Sequence, residues 1–396
     1  MVYAFFVISS TSMTETPPSR SLWFIARKAT STLLSIVSFS HASISVSWAE
    51  ALEKFNIEED VYIFTDKDFK ERNEYPSNVY LSKCYNKLDR LFFHIKHKKV
   101  LNDIENKVNI DKYDIMHAHS LFSNGYIAYK LNQKYNIPYI VSVRNTDVNV
   151  FFAKMIHLRN TGISILRNAE KIIFISQAYK EYTIEKFIPP KYKQEIKDKS
   201  IVIPNGIDEF WLNNKFIERN SGNESNKINI IYAGTIDSNK NIGTTVNACK
   251  ILIEKGYDVN FKIVGRIINK RYCNFINKNE FIKYIPYSRK EELINYYRDS
   301  DIFIMPSKHE TFGLVYAEAM SQGLAIIYTR GQGFDRQFAE GEVGYSVQYN
   351  SSNEIVDKVM RILRNYKTIS NNCLNKVSKF DWNSIAKEYV TLYEKI

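Results

Sequence analysis

The chain has 396 residues, which exceeds what one hydrophobic core normally organises and predicts two or three domains. Its composition, 44% hydrophobic and 24% charged, is typical of a soluble globular protein, and no apolar run reaches the roughly 20 residues of a transmembrane helix. The formal charge of +11 favours acidic partners such as phosphorylated ligands or an anionic membrane face. Nucleic acid is the least favoured partner, because no dense Lys/Arg block with interleaved aromatic residues is present.

The first fifty residues differ in composition from the rest of the chain. They contain twelve serines, no asparagine and one lysine, whereas asparagine and lysine are abundant after Asn56. The apolar run "YAFFVIS" (3–9) has no basic flank before it, so it favours a first strand over a signal peptide. We interpret residues 1–50 as a shifted reading frame, a fused segment or a divergent loop. An ordinary helical pattern resumes at "WAEALEKF" (48–55).

From residue 51 the chain alternates β-like runs with amphipathic helical runs. The predicted strands of the first half are "VYIFTD" (61–66), "YDIMHAH" (113–119), "PYIVSVR" (138–144) and "KIIFIS" (171–176). A helix is predicted at "SNGYIAYKLNQKY" (123–135), between two of these strands. "SIVIPNGID" (200–208) follows, and the polar stretch "LNNKFIERNSGNESNK" (212–227) is typical of a linker or surface loop.

The same alternation then restarts. The predicted strands of the second half are "INIIYAG" (228–234), "VNFKIVG" (259–265), "DIFIMP" (301–306) and "LAIIYT" (324–329). Helices are predicted at 241–256 and 290–300, and "WNSIAKEYVTLYEKI" (382–396) is a terminal amphipathic helix. Two runs of strand–helix alternation predict two parallel-sheet α/β domains with helices on both faces of each sheet.

A polar loop and a helix with one glutamate each follow the strand at 301–306. The stretch is "SKHETFGLVYAEAMSQG" (307–323). Ligands of parallel α/β sheets bind beyond the carboxyl ends of the strands, where a helix N-terminus favours phosphate. With a helix beginning near Phe312 and Gly313 allowing close approach, the backbone of 311–314 is a predicted diphosphate cradle.

The two glutamates suit the rest of a nucleotide sugar. A carboxylate accepts hydrogen bonds from paired hydroxyls, so Glu318 can bind the ribose and Glu310 the sugar, or positive charge at its reacting carbon. The alternative is a capping box, Ser307-x-x-Glu310, in which Glu310 serves only the helix start. That alternative places Gly313 inside the helix at a cost of about 1 kcal/mol and leaves Glu318 unexplained.

This stretch resembles the signature of the retaining GT-B glycosyltransferases of the large family 4 (glycosyltransferase group 1). Two glutamates are separated by seven residues, with Phe-Gly-Leu after the first and Glu-Ala-Met at the second. Three further stretches are similar to the family: "VIPNGID" (202–208), "YAGTIDSNKNI" (232–242), and "YDIMHAHSLFSNG" with "PYIVSV" in the first domain. The similarity covers roughly residues 110 to 345.

The resemblance implies a GT-B fold, in which two Rossmann-like parallel-sheet domains face each other across a cleft. It implies an acceptor-binding domain at 1–199, a donor-binding domain at 200–378, and a terminal helix at 379–396 that packs back on the first domain. Lys240 and Glu310 are the implied catalytic residues, with Lys240 on the donor diphosphate. The implied donor-binding residues are Gly234, Thr235, Lys240, Glu310, Thr311, Phe312, Gly313, Leu314 and Glu318.

Several positions depart from the family pattern or have a second interpretation. Thr235 stands where many relatives carry an arginine, and the glycine-rich loop after the first strand is missing. Arg144 stands where many carry a histidine; it binds an anionic acceptor group or the donor phosphate, or it pairs with Asp147. The acceptor-side candidates are His119, Arg144 and Asp147, and the alternative for His119 is a hydrogen-bonded structural role. The alternative for Lys240 is a solvated loop lysine.

Asn205-Gly206, near the hinge between the two domains, is interpreted as a structural turn rather than a ligand contact. The four cysteines, none in a CxxC pair, are typical of reduced thiols in a cytoplasmic protein.

The expected function is retaining transfer of a sugar from a nucleotide diphosphate sugar to a glycan or lipid-linked acceptor in cell-surface polysaccharide synthesis. UDP is the expected nucleotide from family frequency, with no cofactor and no metal. The enzyme is expected in the cytoplasm, either free or peripheral on an anionic inner membrane face. The alternative is a non-catalytic GT-B subunit that stabilises or recruits another glycosyltransferase. Thr235, Arg144 and the unusual first fifty residues motivate that alternative, whereas Glu310 and Glu318 argue against it.

Overall fold

A computed structural model describes residues 32–38, 57–70, 77–217, 226–269 and 271–396. The strand predicted at 3–9, the helical pattern at 48–55 and the loop after the first observed strand lie outside these residues. Within them the chain forms two parallel sheets with helices packed against them, so the predicted α/β fold of two Rossmann-like domains is confirmed.

The first sheet has seven parallel strands in the order β3-β2-β1-β4-β5-β6-β7. These strands are β1 (Thr32–Ser38), β2 (Glu58–Asp66), β3 (Val79–Tyr85), β4 (Ile115–Ala118), β5 (Tyr139–Val143), β6 (Lys171–Phe174) and β7 (Ser200–Val202). Strand β1 pairs with β2 on one side and with β4 on the other. Residues 32–38 therefore form a central strand, so the divergent-loop alternative for residues 1–50 is wrong for this stretch. The first sheet also continues through Val202, three residues beyond the expected boundary at 199.

Five α-helices of the described residues accompany this sheet. They are α1 (Phe93–Lys107), α2 (Ser123–Tyr135), α3 (Arg159–Asn168), α4 (Gln177–Phe187) and α5 (Pro190–Lys199). Short helical turns stand at Lys87–Leu91, Ile110–Lys112, Asp147–Phe152 and Ile156–Leu158. A core of buried aliphatic and aromatic side chains, including Phe64, Ile104 and Phe174, joins these helices to one face of the sheet.

The second sheet has six parallel strands in the order β10-β9-β8-β11-β12-β13. They are β8 (Lys227–Ala233), β9 (Asp258–Val264), β10 (Ile282–Ile285), β11 (Ile302–Met305), β12 (Ala325–Thr329) and β13 (Gly344–Val347). The accompanying helices are α6 (Glu209–Asn213), α7 (Ile242–Glu254), α8 (Arg271–Asn277), α9 (Lys290–Arg298), α10 (Leu314–Ser321), α11 (Ser352–Arg364) and α12 (Tyr366–Lys376), and a short turn follows at Val377–Phe380. Strands β8, β11 and β12 are buried along most of their length and hold the second core together.

The last helix, α13 (Trp382–Tyr393), packs against the first sheet. Ile385 and Tyr389 are buried against Ile115 and other aliphatic residues of that sheet. The Tyr393 hydroxyl forms a 2.8 Å hydrogen bond with Nδ1 of His117 on β4. Helix α13 therefore ties the end of the chain to the N-terminal domain. None of the helices in the described ranges combines the length and the apolarity that crossing a bilayer requires.

Candidate active site

The two domains meet at a cavity of about 340 Å³ that residues from both sheets line. The lining residues are Arg144, Asn145, Thr146, Ile175, Asn205, Lys240, Glu310, Thr311, Phe312, Gly313, Leu314 and Val315. Arg144 follows the carboxyl end of β5, and the 307–313 loop follows the carboxyl end of β11. The carboxyl ends of both sheets thus face the cavity, where parallel α/β proteins bind ligands.

The loop after β11 delivers the start of α10 to this cavity. Gly313 precedes the helix with a φ of +76°, and a Cβ there would lie 2.4 Å from the Tyr316 ring, so the position requires glycine. No side chain caps the helix, and the Tyr316 N–H donates to the Gly313 carbonyl at 2.9 Å, which leaves the Leu314 and Val315 N–H groups available to an anion. The predicted cradle at 311–314 therefore lies in the cavity wall.

The capping-box alternative is wrong. Helix α10 begins at Leu314, so Glu310 lies outside the helix, and Gly313 precedes it rather than lying within it. The Ser307 hydroxyl is buried and has no hydrogen-bond partner within the described residues. Glu310 is thus held by other groups.

Lys240 is the main partner of Glu310. Its Nζ donates to Glu310 Oε2 at 2.6 Å, and the two side chains are only 19% and 14% exposed. The alternative of a solvated loop lysine is therefore wrong. Asp237 Oδ1 accepts the Lys240 backbone N–H at 2.9 Å and holds this loop in position. A cation and a carboxylate from two different loops thus meet at the cavity wall.

Glu318 lies half-buried on α10, one turn beyond the cavity wall. No group of the described residues donates a hydrogen bond to its carboxylate. Burial, together with a smaller effect of the Asp208 carboxylate and against the opposing effect of Lys290, raises the Glu318 pKa to about 7. Lys290 is itself bound to Asp208, with Nζ 2.5 Å from Oδ2. Glu318 is therefore a carboxylate with unused acceptor capacity, as binding to paired hydroxyls requires.

Gly234 stands at the carboxyl end of β8, against the end of β9. A Cβ at Gly265 would lie 1.8 Å from the Gly234 carbonyl oxygen, so the close approach of the two strands requires glycine at 265. The carbonyl of Thr235 accepts the Tyr232 hydroxyl at 2.6 Å. Gly234 and Thr235 do not line the 340 Å³ cavity.

Arg144, from the first domain, is the one arginine among the residues that line the cavity. It is buried, and its Nε donates to the His119 carbonyl at 3.1 Å while Nη1 donates to Asn205 Oδ1 at 2.9 Å. Burial lowers the Arg144 pKa from its usual value. Its Nη2 has no hydrogen-bond acceptor among the described residues, so it can bind an anionic ligand in the cavity.

Asp147 is a structural residue, which corrects its prediction as an acceptor-side group. Its carboxylate accepts the backbone N–H groups of Leu121, Phe122 and Arg144 at 2.8–3.0 Å, and it is 1% exposed. Burial raises the Asp147 pKa to about 6, and those N–H donors oppose the rise. The predicted side-chain ion pair with Arg144 is not formed in the described structure.

His119 is also structural, so its prediction as an acceptor contact is corrected. The residue is 3% exposed, and its ring stacks on His117 with centroids 4.2 Å apart. Nε2 lies 3.4 Å from the Ser35 hydroxyl. The hydrogen-bonded structural alternative therefore describes His119, which serves the site through the carbonyl that holds Arg144.

Two groups of the site were not expected from the sequence. Asn205, interpreted as a turn residue, lines the cavity and accepts a hydrogen bond from Arg144, which precedes it by 61 residues in the chain. Gln332 Oε1 accepts the Glu310 N–H at 2.9 Å, and a Cβ at Gly333 would lie 1.7 Å from the Thr311 carbonyl oxygen. The signal for this second contact is the pair of glycines in "RGQGFD" after β12.

Two family models match the chain side by side. The model described as Glycosyltransferase Family 4 matches residues 44–209, and the model described as Glycosyl transferases group 1 matches residues 213–377. An uncharacterized glycosyltransferase of Methanocaldococcus jannaschii is 25% identical over 74% of this chain and 78% of its own length. The capsular polysaccharide biosynthesis glycosyltransferase CapM of Staphylococcus aureus is 27% identical over 57% of this chain and 61% of its own length.

Solved structures share the fold at low sequence identity. The sucrose-phosphate synthase of Thermosynechococcus elongatus has a TM-score of 0.69 and 19% identity, covering 92% of this chain and 98% of that one. Anabaena HepE in complex with UDP-glucose has a TM-score of 0.64 and 15% identity, covering 92% of this chain and 100% of that one. Because the two family models cover both domains and Glu310 of the family signature lies in the cleft between them, the chain belongs to the group 1 glycosyltransferases of family 4 and is a glycosyltransferase.

Proposed function

We propose that the protein transfers a sugar from a nucleotide diphosphate sugar to a hydroxyl group, with retention at the anomeric carbon. The observation that carries this proposal is the Lys240–Glu310 pair, which lies at the uncapped start of α10 inside the interdomain cavity. A diphosphate needs cations and N–H donors, and a sugar needs a carboxylate beside them. The cavity supplies all three from two loops and one helix start.

The donor diphosphate lies against Lys240 and the backbone N–H groups of 312–314, while the Thr311 N–H donates to Glu310 Oε1 at 3.1 Å. An ammonium has three donors, so Lys240 can bind phosphate oxygens while it stays bonded to Glu310. Glu318 accepts the ribose hydroxyls. UDP is the proposed nucleotide; the complex of the fold relative HepE with UDP-glucose supports it.

The transfer exchanges one bond for another at the anomeric carbon. The bond from this carbon to the diphosphate oxygen breaks as a bond to the acceptor oxygen forms on the same face of the sugar. The departing phosphate oxygen takes the acceptor proton, so no protein base is assigned. Lys240 and the α10 N-terminus stabilise the negative charge on the leaving group, and Glu310 stabilises positive charge on the sugar. Preorganised electrostatic groups of this kind are commonly the largest catalytic term.

The acceptor is a glycan or a lipid-linked sugar in cell-surface polysaccharide synthesis. Arg144 and Asn205 approach the cavity from the first domain, where Arg144 is placed to bind an anionic group of the acceptor. The relative CapM, named for capsular polysaccharide biosynthesis, supports this class of product. We place the enzyme in the cytoplasm, peripheral on the inner membrane face, and the +11 charge supports contact with anionic lipid.

The experiment that tests this proposal measures nucleotide release from UDP-, GDP- and ADP-sugars, with and without a membrane lipid extract. We expect one donor to be turned over and the extract to stimulate release. Glu310→Ala abolishes that release, whereas Glu254→Ala, an exposed glutamate at the end of α7, leaves it unchanged. Tight nucleotide binding without release from any donor would instead support an accessory GT-B subunit.

A further inference from the structure

An exposed apolar surface lies at the start of α1, outside the site described above. Leu88, Leu91, Phe92 and Ile95 are exposed by 74%, 76%, 59% and 50%. We call these four residues the α1 patch. Single exposed apolar residues are normal on protein surfaces, but four neighbours within eight residues mark an interaction surface.

The α1 patch is additional to the core-facing side of the helix. Helix α1 already buries a core face, at His97, Val100 and Ile104. Of the patch, only Ile95 lies on α1 itself; Leu88 and Leu91 belong to the short turn Lys87–Leu91, and Phe92 joins that turn to the helix. The segment that enters α1 therefore exposes apolar side chains, while the helix buries a separate core face.

The patch is held rigid by polar contacts beneath it. Asp89, between Leu88 and Leu91, is buried and accepts the Asn86 backbone N–H at 2.7 Å. Lys99 Nζ also donates to Asp89 at 2.7 Å, which fastens the short turn to α1. The apolar side chains are thus presented by a fixed scaffold.

The charge around the patch is strongly positive. Residues 83–99 contain six lysine or arginine residues and one acidic residue, Asp89. Arg90 pairs with Asp66 at 2.5 Å and Lys87 pairs with Asp68 at 3.2 Å. Lys67 and Lys70, in the same stretch as these two aspartates, balance their negative charge, so the surroundings stay positive. The exposed side chain of Lys98 has no ion-pair partner among the described residues. Exposed apolar side chains surrounded by lysine and arginine match the chemistry of an anionic lipid surface.

The patch lies at the same edge of the sheet as the cavity. It follows the carboxyl end of β3, and the Arg144 loop follows the carboxyl end of the parallel strand β5. The Phe93 ring lies 6.1 Å from Phe151 in the segment after β5, which continues to Ile156, a side chain that is 66% exposed. A surface that contacts the patch is therefore adjacent to the acceptor side of the cleft.

We infer that the α1 patch docks on an anionic phospholipid surface, with its apolar side chains inserted at the headgroup level, and so holds the cleft rim at the membrane. The inference rests on the proposed function in one respect, namely that the acceptor is lipid-linked. A membrane at this rim would present such an acceptor to Arg144. Docking itself requires neither donor nor acceptor. It can therefore be tested separately from transfer.

The test is sedimentation of the full chain with vesicles of mixed phosphatidylcholine and phosphatidylglycerol, compared with phosphatidylcholine alone. We expect binding to the anionic vesicles that weakens as salt is added, because screening reduces the lysine contribution. The double variant Leu91→Ser/Phe92→Ser should lower the partition coefficient by about tenfold or more. Ile217→Ser, which removes a 96% exposed isoleucine outside the patch, is the matched control and should bind like wild type.

Three results would overturn the inference. The first is an absence of anionic vesicle binding by wild type, and the second is equal binding by the double variant. The third is a dimer of wild type that becomes monomeric in the double variant, which would make the patch an interface between copies. Circular dichroism and nucleotide binding verify that the variant is folded. Nucleotide release without vesicle binding would refute only the docking, whereas vesicle binding without release from any donor would refute only the proposed transfer.

Discussion

The ammonium of Lys240 lies 2.6 Å from Glu310 Oε2, although the two residues belong to loops at the ends of different strands of the second sheet. Both side chains are largely buried at the cavity wall, so each depends on the other for its charge balance. We interpret this pair as part of the donor site.

The pair should behave as one unit in catalysis. Lys240→Met and Glu310→Gln should each lower the transfer rate by about 10²–10³, because each removes charge placed for the transition state. The double variant should be little worse than the poorer single variant, since either change already disrupts the pair. Initial rates of nucleotide release measure this coupling. Lys193→Met, which removes a 2.5 Å surface ion pair with Glu185, is the control and should retain the wild-type rate. Fully additive losses would contradict the assignment.

Glu318 should make donor affinity depend on pH. Burial raises its pKa to about 7, so the carboxylate is mostly protonated at pH 6 and mostly ionised at pH 8. Ribose hydroxyls bind the ionised form better, so affinity for the donor sugar should rise with pH through that range. Calorimetric titration with an intact nucleotide sugar measures the donor affinity at each pH. The diphosphate of such a donor does not change its charge between pH 6 and pH 8, so it does not contribute to the pH dependence. Glu318→Gln should bind more weakly at pH 8 and lose the pH dependence; an unchanged pH profile in this variant would exclude Glu318 as the cause.

Gly333 should be essential for the position of the Glu310 loop. A Cβ at residue 333 would lie 1.7 Å from the Thr311 carbonyl oxygen, so Gly333→Ala must displace backbone at the diphosphate cradle. We expect loss of transfer together with a lowered melting temperature. Gly243→Ala is the matched control, because its Cβ meets nothing within 4 Å and alanine favours the helix by roughly 0.5–1 kcal/mol. Normal activity in Gly333→Ala would show that the loop adjusts without harm.

The sequence predicts those features that neighbouring residues determine, and it does not predict those that depend on contacts between distant segments. Helix α2 has the bounds predicted from its pattern, 123–135, because an amphipathic period is a local property. Strand β1 was missed because its surroundings lack the composition of the other strands. Arg144 donates a hydrogen bond to Asn205, and the Asp147 carboxylate accepts three backbone N–H groups. Both arrangements depend on how distant loops fold together. No pattern along the chain contains that information.

Glu59 should limit the stability of the first domain at alkaline pH. Neither carboxylate oxygen of this buried residue has a partner with good hydrogen-bond geometry within the described structure, and burial, opposed by the nearby Ser35 hydroxyl, raises its pKa to about 8. In the unfolded chain the group titrates near its ordinary value of 4.5, so the unfolded state loses this proton first and folding stability falls between about pH 4.5 and 8. Glu59→Gln should therefore raise the free energy of unfolding at pH 8 by a few kcal/mol, on the order that its pKa shift implies, and not at pH 4.5.

Urea denaturation of the two forms at both pH values measures this effect. Glu58→Gln, at the exposed neighbouring position on β2, is the control and should change stability little at either pH. Equal stabilisation by Glu59→Gln at pH 4.5 and pH 8 would show that the carboxyl group does not titrate as described.

The most direct test of the central claim is nucleotide release from a nucleotide sugar in the presence of lipid extract, compared between wild type and Glu310→Ala. We predict stimulated release from one donor by wild type and a loss of about 10² or more in the variant. An equal rate in the two proteins would contradict the assignment of the Lys240–Glu310 cavity as the site of transfer.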